Sequence, residues 1–298
     1  MCATCGCGTD ETRVTAVGTA TVPVHVHDHP HDHDHPHDHD HPHDHDHPHD
    51  HDHDHPHDHD HPHDHDHPHD HDAADTPAHP HTHTVDIEQA ILAKNDDLAV
   101  HNRVWLTERG IVAVNLMSSP GAGKTTLLER TISEAGAGRC VSVIEGDQET
   151  VFDAERIRDA GANAVQINTG SGCHLDASMV RSGLEALRPA NGDLVFLENV
   201  GNLVCPALFD LGEARKVVII SVTEGDDKPL KYPHMFAAAD LVIVNKTDLL
   251  PYVDFDVDRC ERDARSLNPN MTWMPLSART GDNLGAWYDW LRGLTPAA

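Results

Sequence analysis

Aromatic residues are scarce in this chain of 298 residues, which contains five phenylalanines, three tyrosines and four tryptophans. None of them lies in residues 1–84, where the few large apolar side chains are mostly valine. A segment of this composition cannot bury enough apolar surface to offset the entropy that is lost when the chain is ordered. We therefore expect residues 1–84 to be disordered, whereas residues 85–298 are long enough to form one domain with a core.

Basic residues are also few. Residues 1–84 contain 19 acidic residues and a single basic one, Arg13, and the whole chain has a formal net charge of −29. The absence of a basic cluster argues against a duplex nucleic acid as partner. Apolar runs such as 217–220 are too short to span a bilayer, and no apolar signal-peptide core follows Met1. These absences favour a cytoplasmic protein with no nucleic-acid or membrane partner.

The seven cysteines are odd in number, which in a reducing compartment indicates thiols or metal ligands rather than a disulfide framework. Three of them, Cys2, Cys5 and Cys7, lie within six residues, and neighbouring glycines let the chain wrap around an ion. If Met1 is removed, the α-amine of Cys2 could supply a fourth ligand, and a planar site of this kind would suit Ni²⁺. Zn²⁺ is the closest competitor for the same thiolates. Residues 1–24 are therefore predicted to be a cysteine metal-binding motif.

Histidine occupies every odd position from His25 to His71, and residues 25–84 contain 27 of the 30 histidines. The underlying repeat, His-Pro-His-Asp-His-Asp, has a period of six, and its regular prolines exclude a helix or a central strand. Imidazoles suit nickel, zinc and copper alike, and without fixed structure they act as a buffer for many ions. We interpret residues 25–84 as a disordered metal-binding tract and linker.

Residues 85–298 alternate short β-branched apolar runs with segments of helical spacing. Six runs are predicted to be buried strands, at 111–117, 141–144, 164–167, 194–197, 217–222 and 241–244, and a short strand is predicted at 272–276. Helices are predicted at 85–109, 124–135, 151–160, 176–187, 232–239 and 283–294. The alternation predicts an α/β fold, with a mostly parallel sheet that is covered by helices on both faces.

The segment after the first predicted strand, Ser-Ser-Pro-Gly-Ala-Gly-Lys-Thr-Thr at 118–126, is close to the phosphate-loop pattern G-x-x-x-x-G-K-[ST]. The glycines let backbone N–H groups cradle a phosphate, and Lys124 is placed to reach the β- and γ-phosphates. The hydroxyl of Thr125 is expected to bind Mg²⁺. The predicted nucleotide contacts in this loop are Gly121, Ala122, Gly123, Lys124, Thr125 and Thr126. The motif makes the predicted fold that of a P-loop NTPase.

A second motif, Asn-Lys-Thr-Asp at 245–248, follows a predicted strand, where bases bind in such sheets. An aspartate at this place can accept both N–H groups of a guanine edge, and adenine cannot supply that pair. The Ser-Ala-Arg segment at 277–279 resembles the loop that closes over guanine in GTPases. The predicted base contacts are Asn245, Lys246, Asp248, Ser277 and Ala278. We therefore expect GTP as the nucleotide.

Two strand-end acids complete the predicted catalytic set of Lys124, Thr125, Asp147 and Glu198. Asp147 is expected to hold Mg²⁺ together with Thr125, although both acids could also be ordinary solvated strand ends. Glu198 stands where most GTPases have the aspartate of D-x-x-G, and it would orient a magnesium-bound or attacking water. No water-positioning glutamine or arginine finger is apparent, so we expect slow hydrolysis of GTP to GDP and phosphate.

Cys173, His174 and Cys205 lie beyond the carboxyl ends of two predicted strands, on the nucleotide side of the sheet. Cys205 is close in sequence to the loop that is expected to sense the γ-phosphate. An ion bound here could therefore affect that loop. Spacing alone leaves two interpretations open, a third metal site and ordinary buried thiols.

Together these motifs resemble the HypB family of hydrogenase nickel-incorporation proteins. The resemblance covers residues 85–298 and the N-terminal cysteines. It implies a metal-binding GTPase that forms a metal- and GTP-dependent homodimer. It further implies delivery of Ni²⁺ to the large subunit of [NiFe]-hydrogenase, together with a small zinc-containing partner, HypA. Two metal sites are implied: nickel at Cys2, Cys5 and Cys7, and nickel or zinc at Cys173, His174 and Cys205.

Three other functions fit part of the sequence. A urease accessory GTPase can also begin with a histidine-rich segment, but the two cysteine-containing sites favour the hydrogenase branch. A nickel storage protein with a vestigial GTPase is disfavoured because Lys124, Thr125, Asn245 and Asp248 are intact. A general zinc chaperone would differ in the metal that it carries.

Overall fold

The computed structural model describes residues 13–16, 81–134, 139–147, 152–170 and 172–297. The predicted cysteine site at Cys2, Cys5 and Cys7 and residues 25–80 of the histidine tract and linker lie outside the described residues. The expectation of disorder is wrong for residues 13–16, which form a strand, and for residues 81–84, which begin a helix. The division of the chain at residues 24 and 84 stays a prediction.

Among the described residues, eight strands form one sheet. They are β1 (Arg13–Ala16), β2 (Val112–Ser118), β3 (Val141–Asp147), β4 (Asn163–Asn168), β5 (Leu194–Glu198), β6 (Arg215–Ser221), β7 (Leu241–Asn245) and β8 (Thr272–Pro275). Their order across the sheet is β1-β4-β3-β5-β2-β6-β7-β8. All neighbours are parallel except β1, which pairs with β4 in the antiparallel direction. The prediction of a mostly parallel sheet is confirmed.

The part of the chain that the structure describes contains eight α-helices beside this sheet. They are α1 (His81–Glu108), α2 (Lys124–Glu134), α3 (Phe152–Asp159), α4 (Ala177–Leu187), α5 (Lys228–Lys231), α6 (Pro233–Ala237), α7 (Val257–Leu267) and α8 (Leu284–Arg292). Short 3₁₀ helices lie at Cys205–Leu208 and Thr247–Tyr252. Within the described ranges, none of the helices combines the length and the apolar character that crossing a bilayer requires.

The helices cover both faces of the sheet because successive strand residues point to opposite sides. In β2, Val112 and Val114 belong to a core that includes Leu127 of α2 and Trp287 of α8. Ala113, between them, belongs to the core on the other face with side chains of α1 and α4. A third cluster packs α6 and α7 against β6 and β7. The predicted covering of both faces is confirmed.

Three elements are absent from the predicted set: β1, α5 and α7. β1 joins the sheet through backbone pairing, with Arg13 opposite Asn168 and Ala16 opposite Val165, and such an edge strand needs no hydrophobic run. The prediction is wrong to omit α7, because its apolar residues have the spacing of an amphipathic helix and lie against one core: Val257, Cys260, Ala264 and Leu267. α5 is four residues long, which is too short to show a helical pattern in the sequence.

The parallel strands bring their carboxyl ends to one edge of the sheet. The phosphate loop leaves from the end of β2, and Asn245 ends β7. Glu145 of β3 is in register with Glu198 of β5. Loops that are far apart in sequence therefore meet at this edge, as expected for a sheet of this topology.

Candidate nucleotide and metal site

The phosphate loop, residues 118–126, connects β2 to α2. Gly121 and Gly123 have φ angles of 74° and 97°, a region that residues with a side chain rarely adopt. α2 begins at Lys124, directly after the loop, and the N–H groups of a first helical turn have no partners within the helix. The loop is therefore a backbone cradle of the kind that binds phosphate. Lys124 Nζ donates to Ser118 Oγ over 3.0 Å, and Thr126 follows on α2 with a half-buried side chain.

Asn245 joins the end of β7 to the phosphate loop. Its Nδ2 donates to Ala122 O over 2.8 Å, and its Oδ1 accepts from Ala278 N over 3.0 Å. The approach is so close that a Cβ on Gly123 would lie 2.5 Å from Asn245 Nδ2. One buried side chain thus holds three of the predicted nucleotide-binding segments together.

Lys246 and Asp248 are also held in place by other predicted nucleotide contacts. Lys246 Nζ donates to Gly121 O over 2.7 Å. Asp248 Oδ1 accepts from Ser277 Oγ over 2.6 Å, which orients the carboxylate that is predicted to bind guanine. The two segments predicted to surround the base are therefore bonded to each other and to the phosphate loop.

The hydroxyl of Thr125 lies between two carboxylates. Its Oγ1 is 2.9 Å from Glu198 Oε1, at the end of β5, and 3.0 Å from Asp153 Oδ2, in the first turn of α3. A hydroxyl has one hydrogen to donate, so it cannot satisfy two ionised carboxylates at once. Asp153 is missing from the predicted site because an acidic residue in a first helical turn is also typical of favourable helix-dipole interaction.

Glu145 belongs to the same acidic group, although the sequence pattern favours its neighbour Asp147, which ends β3 with its side chain half-buried. Glu145 and Glu198 are both buried. Burial, and then the charges of Glu198, Asp153 and Asp147, raise the pKa of Glu145 to about 9. Burial also raises the pKa of Glu198. Within the described ranges, neither Glu145 Oε2 nor Glu198 Oε2 has a hydrogen-bond partner.

Cys173, His174 and Cys205 form a second cluster, beyond the ends of β4 and β5. Their potential ligand atoms all lie within 4.8 Å of one another. Cys173 Sγ is 3.7 Å from His174 Nδ1, and the imidazole packs on Phe209 with ring centroids 3.9 Å apart. Burial lowers the pKa of His174, which favours the neutral form that binds metals. Two thiols and one imidazole suit a borderline cation such as Zn²⁺ or Ni²⁺.

The segment 198–205 connects the acidic group to the cysteine and histidine cluster. Asn199 Oδ1 accepts from Leu175 N over 2.9 Å, so the loop after β5 is bonded to the loop that carries His174. A Cβ on Gly201 would lie 3.1 Å from Pro120 Cα, which places this backbone against the phosphate loop. The chain between Glu198 and Cys205 therefore contacts both clusters.

A parallel sheet, a phosphate loop between β2 and α2, and an Asn-Lys-x-Asp strand end bonded to that loop define a P-loop NTPase. The family model described as the CobW/HypB/UreG nucleotide-binding domain matches residues 112–275. The chain is 56% identical to hydrogenase maturation factor HypB of Azotobacter chroococcum over 218 residues, or 73% of this chain and 72% of that protein. Identity to the Escherichia coli K12 factor is 52% over 207 residues, or 70% and 71% of the two chains.

Two solved structures agree with these sequence relationships. A crystal structure of HypB from Archaeoglobus fulgidus has a TM-score of 0.64 and 44% identity, and covers 68% of this chain and 98% of that one. HypB from Helicobacter pylori in complex with nickel has a TM-score of 0.63 and 40% identity, and covers 66% and 93%. The chain belongs to the HypB family of hydrogenase maturation factors, a GTP-binding branch of the P-loop NTPases.

Proposed function

We propose that this protein is a GTP-hydrolysing nickel metallochaperone that delivers Ni²⁺ to the large subunit of [NiFe]-hydrogenase. The observation that carries the proposal is the convergence of Cys173, His174 and Cys205 at the end of a segment that starts at Glu198. That segment also lies against the phosphate loop, so nucleotide and metal act on the same stretch of chain. The relative from Helicobacter pylori whose structure contains nickel supports Ni²⁺ as the cargo.

The nucleotide is proposed to be GTP. Residues 121–126 would cradle its phosphates, with the Lys124 ammonium beside the β- and γ-phosphates. Asp248, oriented by Ser277, would accept hydrogen bonds from the guanine edge, and Asn245 and Ala278 would hold the surrounding loops. The membership of the chain in a GTP-binding family supports this assignment.

The acidic group around Thr125 fits Mg²⁺. Its oxygen donors are those that this cation prefers, and buried carboxylate oxygens without a donor at Glu145 and Glu198 need a positive partner. We propose that Thr125 and Asp147 hold the ion and that Glu198 orients a magnesium-bound or attacking water. The ion would neutralise phosphate charge. Slow turnover is expected because the segment 198–202 contains no glutamine to orient the attacking water.

The remaining elements of the proposal come from family membership and from the sequence. Cys2, Cys5 and Cys7 and the histidine tract would bind and store nickel, and the Cys173 cluster would accept Ni²⁺ or Zn²⁺. The partners are the small accessory protein HypA, the hydrogenase large subunit and a second copy of this chain, in a metal- and GTP-dependent homodimer. The protein would act in the cytoplasm.

The proposal is tested by complementation and by metal binding. We expect a host that lacks its own factor to regain hydrogenase activity with the wild-type chain but not with Lys124→Ala or Cys205→Ala. Purified protein should bind Ni²⁺ with different affinity in GDP and in a non-hydrolysable GTP analogue. Equal nickel affinity in both states would contradict coupling, and hydrogenase activity restored by Lys124→Ala at low nickel would point to storage.

Urease activity is measured in the same strains. A relative from Helicobacter pylori, 41% identical over 204 residues, is named a hydrogenase/urease maturation factor. We expect Lys124→Ala and Cys205→Ala to abolish the recovery of hydrogenase activity. A loss of urease activity alone would favour an accessory function in urease maturation.

A further inference from the structure

α1 carries two buried asparagines in an otherwise apolar stripe. Asn95, Ala99, Asn102 and Leu106 are spaced by four, three and four residues, and each is at most 6% exposed. Such spacing places them on one helix face, toward the protein. A buried amide must find hydrogen-bond partners. The partners of Asn95 and Asn102 therefore identify the chain segments that this helix face contacts.

Both asparagines bridge the same two chain segments. Asn95 Oδ1 accepts from Ala177 N over 2.9 Å, and its Nδ2 donates to Asp210 O over 2.8 Å. Asn102 Nδ2 donates to Ala177 O over 2.8 Å and to Leu211 O over 3.2 Å. The backbone at 177 is thus tied twice to the backbone at 210–211, each time through a side chain of α1.

These two segments are the ones that carry the cysteine and histidine cluster. Ala177 begins α4, three residues after His174. Asp210 and Leu211 follow the 3₁₀ helix that begins at Cys205. The distance between His174 and Cys205 therefore depends on two segments whose separation is set by the amides of α1.

The segment at 210–212 also packs directly against α1. Arg103 Nη2 donates to both carboxylate oxygens of Asp210, at 2.7 Å each. Gly212 has a φ of 87°, and a Cβ there would lie 2.6 Å from Ala99 O. α1 and the segment after Cys205 therefore cannot shift relative to each other without breaking this contact.

We propose that Asn95 and Asn102 are positioning residues of the metal site, which rests on the proposed function of Cys173, His174 and Cys205 as metal ligands. The two amides hold the His174 and Cys205 segments at the separation that one ion requires. Without them the segments separate, and the ion loses part of its ligand set. Loss of hydrogen bonds that orient ligands typically weakens metal binding by about 10- to 100-fold.

The test uses the full chain with Cys2, Cys5, Cys7 and Cys140 replaced by serine. Co²⁺ is the probe, because thiolate ligation gives a charge-transfer band that the imidazoles of the histidine tract do not give. We expect Asn95→Ala and Asn102→Ala each to weaken the Co²⁺ affinity that is measured from this band by roughly 10-fold. The intensity of the band should change as well. Lys94→Ala, an exposed position on the same helix, is the matched control and should leave the band unchanged.

Binding of fluorescent GDP and the melting temperature are measured for every variant, to separate positioning from general instability. Lower melting temperatures with an unchanged cobalt band and an unchanged Co²⁺ affinity would overturn the inference and leave the proposed metal site intact. If Cys205→Ala in the same background kept the band, the proposed metal site would fail, and the inference with it.

Where an alanine variant does not fold, Asn95→Asp and Asn102→Ser are used instead. Asn95→Asp keeps the acceptor for Ala177 N and removes the donor to Asp210 O. We expect it to weaken the cobalt band while GDP binding stays within about twofold of the parent. An unweakened band in both of these folded variants would also overturn the inference.

Discussion

Asn245 Nδ2 lies 2.8 Å from Ala122 O, so the strand end that is predicted to face the base and the loop that is predicted to face the phosphates form one bonded unit. The same side chain accepts from Ala278 N in the loop after β8. A change at any of these three places is therefore expected to alter nucleotide binding as a whole.

Replacing Asn245 by alanine should weaken GDP binding by roughly 10- to 100-fold and lower the melting temperature. The change leaves Ala122 O and Ala278 N without their partner, and each buried unpaired group costs about 1–3 kcal/mol. Fluorescent GDP titration measures the first effect and thermal unfolding the second. Asn270→Ala, at an exposed position, is the control, and equal losses in both variants would refute a specific role for Asn245.

Asp248→Asn should shift the base preference from guanine to xanthine. The asparagine amide donates where the carboxylate accepts, and xanthine has a carbonyl oxygen where guanine has an amino group. We expect GTP affinity to fall roughly 10- to 100-fold, as for loss of a charged hydrogen bond, and XTP to become the better ligand. Competition titrations with both nucleotides measure the ratio. An unchanged preference would show that Asp248 does not contact the base.

Thr125→Ala and Thr125→Ser form a matched pair for the magnesium prediction. The alanine variant removes the hydroxyl that lies beside Glu198 and Asp153, and the Mg²⁺ concentration for half-maximal GTP hydrolysis should rise by about 10-fold or more. The serine variant keeps the hydroxyl and should remain close to the wild type. A similar Mg²⁺ requirement in both variants would contradict the assignment.

Gly201→Ala should weaken nucleotide binding by roughly 3- to 10-fold, because its Cβ would press on Pro120 of the phosphate loop at 3.1 Å. Gly285→Ala on α8 is the control, since a Cβ there meets nothing within 4 Å. The control should gain about 0.5–1 kcal/mol of stability and keep its GDP affinity. Unchanged GDP affinity in Gly201→Ala would show that the contact with Pro120 is not needed.

Asp210→Asn should destabilise the protein at neutral pH but not in acid. Burial raises the pKa of Asp210, but hydrogen bonds from Arg103 and from Gly212 N–H outweigh it, and the pKa lies below its ordinary value of 3.8. A lowered pKa stabilises the fold above the unfolded value, and the stabilisation disappears as the pH falls through the folded value. We expect a loss of about 1–2 kcal/mol at pH 7.

The Asp210→Asn prediction is checked by thermal melts of the wild type and the variant between pH 3 and pH 7. Their difference should stay constant above about pH 5 and shrink below the unfolded pKa. Asp159→Asn, at an exposed site on α3, serves as the control. A difference that grows as the pH falls would contradict the sign of the argument.

The parallel strands β2 to β7 and the main helices could be predicted because each buries a continuous or periodic apolar pattern. The phosphate loop and residues 245–248 could be found because their chemistry depends on local spacing. Glu145 and Asp153 could not, since their role depends on the register of β3 with β5 and on where α3 meets Thr125. Such partners are set by tertiary packing.

Asn95 and Asn102 show the same limit for the metal site. In the sequence they are polar residues of a long predicted helix, a pattern that also describes a solvated face. Only the fold reveals that they are buried and bonded across 75 to 115 residues of sequence. β1 is similar, because its four residues carry no pattern that would distinguish them from a linker.

β1 also fixes where the N-terminal part of the chain joins the sheet. Because β1 runs antiparallel to β4, Arg13 is opposite Asn168, at the edge of the sheet from which the Cys173 loop departs. Five residues separate Cys7 from Arg13, so the tether spans at most about 20 Å when fully extended. Short tethers give effective concentrations in the millimolar range. The same bound for Cys2, eleven residues from Arg13, is about 40 Å. Chain length, rather than the amount of protein in the cell, would therefore set the concentration of the three thiols at this edge of the sheet.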